Sequence, residues 1–216
     1  MRTGARTKTG KYERTDSKKI HQLFENQLKD IYWAEKELAI FIPKLVRQIS
    51  SRELISTLEK HAKSTEKQVN RLEEAFRILG SSPEAEECPA MAGLIQESVT
   101  IVDESEEGPV RDAFIIGAVQ KVEHYEMATY GTLKTIATMI GEFEIATLFG
   151  ETLKEEKEAD MKLTEVAENV VNIEASLESG ELEDIEGDDV EDLIDEEEEL
   201  HGMSSRGKSR SKSRNY

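Results

Sequence analysis

The chain has 216 residues, a formal charge of -18, 37% hydrophobic residues, four prolines and a single cysteine. It is long enough for one real core with tails, and Cys88 alone excludes an intrachain disulfide framework. No run approaches the ~20 apolar residues of a membrane span, and so acidic a chain attracts cations rather than nucleic acid.

Residues 1–19 hold seven basic and two acidic side chains, with Gly4 and Gly10 and little to bury. They are expected to be a disordered basic segment. They lack the apolar centre of a secretion signal, so a cytoplasmic location is the default expectation.

A helical pattern begins near Lys19 and runs to about Ile49, with an inward line of Phe24, Leu28, Ile31, Glu35, Leu38, Ile42 and Leu45. Pro43 lacks an N–H and crowds the preceding turn, so it should kink this helix or tighten its last turns. SSRE at 50–53 is a start signal, with Ser50 as cap and Glu53 at the capping-box position. The second helix, about 51–79, carries Leu54, Leu58, His61, Thr65, Gln68, Leu72 and Phe76 inward, and Gly80 suits its end. Its centre is polar where apolar residues would be cheaper.

Residues 81–108 form a long connection in which Met91, Leu94, Ile95, Val99 and Val102 have short helical periodicity. A crossover of that length lets long helices run parallel. Gly108-Pro109 opens a third long helix, about 109–139, with an inward line of Ile116, Val119, Glu123, Glu126, Tyr130 and Leu133. Gly141 breaks it. The fourth runs from Glu142 to about Ala175, with Ile145, Leu148, Thr152, Glu155, Ala159 and Val166 inward and Leu163 close by. The pattern makes an all-α domain of residues 20–175. Residues 178–200 then hold fourteen acidic and no basic side chains, and 201–216 five basic and no acidic ones. Residues 176–216 are therefore expected to be an acidic, then basic, disordered tail. The basic end could touch nucleic acid weakly, or simply pair with the acidic stretch.

Every long helix thus interrupts its apolar face near mid-length with a possible ligand. These are Glu35, His61, the Glu123/Glu126 pair, and Glu155 with Glu158 one turn away. Isolated carboxylates are costly to bury, so they are either solvated or share a cation. Positions three apart lie within one turn, so one helix can offer two carboxylates to a pair of metals. Hard carboxylates with one imidazole favour iron or manganese, with zinc possible. Tyr125 and Tyr130 could hydrogen-bond a bridging carboxylate or relay an electron, packing being the plainer role for either.

LKDIYWAEKEL (28–38), LEKHAKST (58–65), CPAMAGLIQE (88–97), VRDAFIIGAVQKVEHYEMATYGTL (110–133) and ETLKEEKEADMKLTEVAE (151–168) resemble the ferritin-like, stress-associated bacterial family typified by YciE and YciF. The resemblance covers about residues 20–170. It implies a ferritin-like antiparallel four-helix bundle with a long crossover carrying a short helix, often dimeric, with a dinuclear carboxylate-bridged iron centre. Carried over by position, the ligand set is Glu35, His61, Glu123, Glu126 and Glu155, with Glu158 or Asp160 completing the fourth helix. The wider ferritin-like pattern pairs Glu with His three residues later. Here Leu58 stands three before His61 and the fourth helix has no His, so one ligand of each expected pair is missing or replaced. The expected function is a metal centre that oxidises Fe(II) with oxygen or peroxide under stress. The alternative is a non-enzymatic helical interaction protein whose inward acids are solvated or paired with its own lysines.

Overall fold

A computed structural model describes residues 12–180, with side chains from residue 18. The chain divides into two units, Met1–Ala175 and Ser176–Tyr216, and the first holds the bundle. All regular structure among the described residues is helical: α1 (Tyr12–Leu45), α2 (Arg52–Ile78), α3 (Pro89–Glu104), α4 (Pro109–Ile140), α5 (Phe143–Val166) and α6 (Asn172–Ser179). None of these helices is long and apolar enough to cross a membrane. Of the tail expected over residues 176–216, the first residues are helical, since α6 continues to Ser179, and residues 181–216 lie outside the described residues, as do residues 1–11.

Local chemistry sets the boundaries. Helix α1 starts at Tyr12, ahead of the apolar periodicity, because nothing between Gly10 and the first core residue breaks a helix. Pro43 is followed by a tightened 3₁₀ turn at Val46–Gln48. Ser51, not Ser50, caps α2, its Oγ accepting from the Leu54 N–H at 3.4 Å. Gly80 and Gly141 take positive φ of 72° and 89°. Each closes its helix with paired backbone bonds: Ser81 N–H to Phe76 O at 3.0 Å, and Glu142 N–H to Ala137 O at 2.8 Å. After Val166 the last long helix loosens into a π-helical turn, Ala167–Val171, which the sequence pattern did not signal.

Hydrogen bonds between distant segments fix the topology. The start of α4 sits where α1 ends and α2 begins, since Asp112 accepts from Ser50 and Ser51, and Arg111 donates to Gln48 O. The crossover leaves the far end of α2, touches α1 at Glu86 N–H to Lys29 O (3.3 Å), and returns through α3. Helices α2 and α4 therefore run parallel. The packed neighbours are α1 with α2, α2 with α5, α5 with α4 and α4 with α1. Each of these pairs is antiparallel, and α2 and α4 lie across the diagonal. The all-α bundle with a helix-bearing crossover is the architecture expected from the sequence.

The apolar lines read from the sequence on α1, α2 and α4 are all buried. On α5 the buried line is Ile145, Phe149, Thr152, Glu156, Leu163 and Val166. This differs from the expected Leu148–Thr152–Glu155–Ala159 line. Both are legal helical steps, and the larger Phe149 ring, packed against Phe24 and Tyr130, sets the register.

Candidate metal centre

At mid-height the four helices direct polar groups at one another. His61 from α2, Glu123 and Glu126 from α4, and Glu156 from α5 each bring a ligand atom within 4.8 Å of the others, and all four are buried. Glu35 of α1 is also fully buried beside them and accepts a 2.5 Å hydrogen bond from the Tyr130 hydroxyl. His61 Nε2 lies 3.1 Å from Glu123 Oε1.

The electrostatics are those of a site lacking positive charge. Burial first, and then the carboxylate of Glu156, push Glu35 well above the usual carboxylate range. Burial followed by Glu156 does the same for Glu123, and burial followed by Glu35 for Glu126. Glu156 is raised to about 7, again mainly by burial. His61 is lowered to about 4 by burial, so its imidazole is neutral and free to offer a lone pair. Tyr130 is pushed up by burial and by Glu35, which keeps its hydroxyl a donor.

Several polar atoms here have no aligned hydrogen-bond partner: both oxygens of Glu123 and of Glu126, one each of Glu35 and Glu156, and Nε2 of His61. Buried polar groups are almost always paired, because an unpaired one costs about 1–3 kcal/mol and a charged one more. The ligand atoms that His61, Glu123, Glu126 and Glu156 bring within 4.8 Å of one another fit a divalent cation, and the hard donor set suits iron or manganese.

The structure gathers Glu35, His61, Glu123 and Glu126 from the sequence-derived set and adds Glu156, which the set omitted. It does not gather Glu155 or Glu158. Glu155 lies on the α2/α5 seam, where burial alone would raise it. The Arg71 guanidinium overrides that and holds it below the usual range, with contacts of 2.5 and 2.7 Å. Glu158 is exposed and 3.3 Å from Lys154 Nζ. Asp160 sits between α4 and α5, accepting from Gln120 at 3.2 Å with His124 Nδ1 at 3.6 Å, outside the cluster. Of the tyrosines, Tyr130 is bonded to a centre residue, whereas Tyr125 meets Cys88 Sγ at 3.0 Å on the crossover side.

A support layer follows from these contacts. Gln68 donates one amide to both Glu156 and Glu155, so the seam pair Arg71–Glu155 and the buried Glu156 share one linking side chain. Such outer contacts orient ligands. Phe149, Glu156 and Leu163 are spaced by seven residues, a line the sequence permits alongside the one through Glu155.

Paired antiparallel helices, a returning crossover and a mid-height histidine–carboxylate cluster define a ferritin-like protein. Over residues 19–176 the chain matches the family described as a domain of unknown function, DUF892. Protein YciF of Escherichia coli (strain K12) is 41% identical over 159 residues, spanning 73% of this chain and 96% of that protein. The solved structure of the E. coli stress protein YciF superposes with a TM-score of 0.68 at 41% identity, covering 71% of this chain and 97% of that one. The YcfI protein of Rhodopseudomonas palustris gives 0.65 at 38% identity, covering 67% and 92%. The protein XCC3681 of Xanthomonas campestris, 23% identical with a TM-score of 0.59 over 75% of this chain and 99% of its own, shares the fold. The chain belongs to the YciE/YciF family of ferritin-like proteins.

Proposed function

We propose that this protein holds a dinuclear iron centre between its four long helices and takes part in handling Fe(II) under stress. The observation that carries the reading is the set of orphan buried carboxylate oxygens around a neutral His61. Glu123, Glu126, Glu35 and Glu156 would hold the two ions, with His61 completing one shell and Tyr130 fixing Glu35. Bound iron would supply one-electron redox chemistry with oxygen or peroxide as co-substrate. The residues themselves exclude water, hold the ions' counter-charge and release protons as the ions enter, because raised carboxyls must ionise to bind. The stress description of the relative YciF agrees with this role.

The test is metal analysis of the full chain purified anaerobically from iron-replete cells. About two irons per chain are expected, with strong loss on Glu123→Ala and on Glu156→Ala but retention on Glu158→Ala. Less than one metal per four chains, unchanged by Glu123→Ala, contradicts the reading. It would favour a purely helical interaction protein.

A further inference from the structure

The centre is not equally sealed on all sides. The buried carboxylates show essentially no surface, whereas the His61 ring keeps 5% of its own. That exposure opens into a cleft of about 370 Å³ along the α2/α5 seam, walled by Thr57, Leu58 and Ser64 of α2 and by Ala159 and Leu163 of α5. Of the four clustered ligand residues, His61 is the one that lines it. A wider depression of about 500 Å³ continues from Thr57, Lys60 and Lys162 towards the π-turn residue Val170, forming an outer vestibule. Small side chains create the gap: Thr57, Ser64 and Ala159 stand where large apolar residues would close a helix seam.

The cleft's chemistry selects its occupant. Its charged rim is balanced, Lys60 and Lys162 against Glu155 and Glu158. Three of these are engaged elsewhere, Glu155 with Arg71, Glu158 with Lys154 and Lys162 with Glu165. The charged side chains of the rim therefore sum to zero. Inside the rim, Leu58, Ala159 and Leu163 offer a hydrated ion nothing in place of its water, and the polar atoms there are only those of Thr57, Ser64 and His61. We propose that the α2/α5 cleft is the entrance by which dioxygen, a small uncharged molecule, reaches the centre at the His61 face. This rests on the metal-centre reading, but access itself can be measured without metal.

The experiment uses metal-free full-length protein with labelled methyl groups, under oxygen pressure, reading the paramagnetic shift that dissolved dioxygen induces. Leu58 and Leu163 should respond several-fold more than Leu28 and Leu133, which are equally buried but away from the cleft. Ala159→Phe, or Ser64→Leu should the first variant fold poorly, should bring Leu58 and Leu163 down to the level of Leu28. Equal responses in all four leucines, or no fall on plugging, overturn the proposal. Cobalt(II) stoichiometry measured on wild type and plugged variant separates the two ideas. Equal binding in both leaves any loss of response as loss of access alone. Absence of cobalt binding in both fails the metal-centre reading, while the methyl responses still decide the entrance.

Discussion

Helix α4 buries carboxylates in two regions, and they are treated in opposite ways. Near its start, Asp112 is fully buried, and its oxygens accept from Ser50 N–H (3.1 Å), Ser50 Oγ (2.7 Å) and Ser51 N–H (2.7 Å). Roughly 21 Å further along the same helix, at 1.5 Å per residue, Glu126 is as deeply buried and accepts nothing. The first carboxylate is a finished joint, pinning the α1/α2 corner to α4. The second belongs to a cluster whose hydrogen-bonding capacity the protein leaves unmet. Burial by itself therefore does not mark function; burial without partners does.

The largest effect should come from breaking the finished joint. Asp112→Ala strands two backbone N–H groups and should lower the unfolding free energy by about 3 kcal/mol, measured by denaturant unfolding. Metal affinity per folded molecule should stay within a few-fold. The opposite sign is expected at the centre. Glu126→Leu removes an unpartnered buried acid and should stabilise the metal-free protein by about 1–3 kcal/mol. The same change should erase the stabilisation that excess Fe(II) or Co(II) gives wild type, about 2.7 kcal/mol at one hundred times Kd.

A smaller contrast is in pH. Folded-state values of Glu35, Glu123, Glu126 and Glu156 are raised, so their protonated forms favour folding at low pH. That contribution is complete below about 4.5 and is lost as pH rises, for Glu156 through about 7. His61 acts the other way: its stabilising effect is present above 6.5 and lost as pH falls towards about 4. With four carboxyls against one imidazole, metal-free protein should lose stability between pH 4.5 and 7 in thermal melts. Metal affinity should rise over the same window. Smallest of all is the support layer. Gln68→Leu should weaken metal binding about tenfold by freeing Glu156. Arg71→Ala, which releases the part-exposed Glu155, the exposed Glu151 and the Thr152 hydroxyl, should change stability by under about 1 kcal/mol in denaturant titrations.

How much of this could be read from the sequence depends on what fixed each helix's register. On α1 and α4, large apolar residues flank Glu35 and Glu123/Glu126 on both sides, and on α2 Leu54 and Leu58 before and Leu72 and Phe76 after bracket the polar run His61–Gln68, so the inward line has no freedom. On α5 the stretch Lys154–Asp160 is nearly all charged, and from Thr152 a step of three reaches Glu155 and a step of four reaches Glu156. Only tertiary packing of Phe149 and Leu163 decides between them. Two adjacent glutamates consequently differ completely: Glu155 is held in its charged form by Arg71, and Glu156 is raised to about 7 in the centre. The Asp112 joint was invisible for a related reason, since its partners lie some sixty residues away. The π-turn leaves no mark in a periodicity of 3.6.

The role proposed for these buried acids is to hold metal. Its most direct test is anomalous X-ray scattering from crystals of the full chain soaked anaerobically with Fe(II). Two peaks are expected inside the bundle, bounded by Glu35, His61, Glu123, Glu126 and Glu156, with Glu155 still on Arg71. Peaks confined to surface carboxylates such as Glu155 or Glu158, with the interior empty, would contradict it.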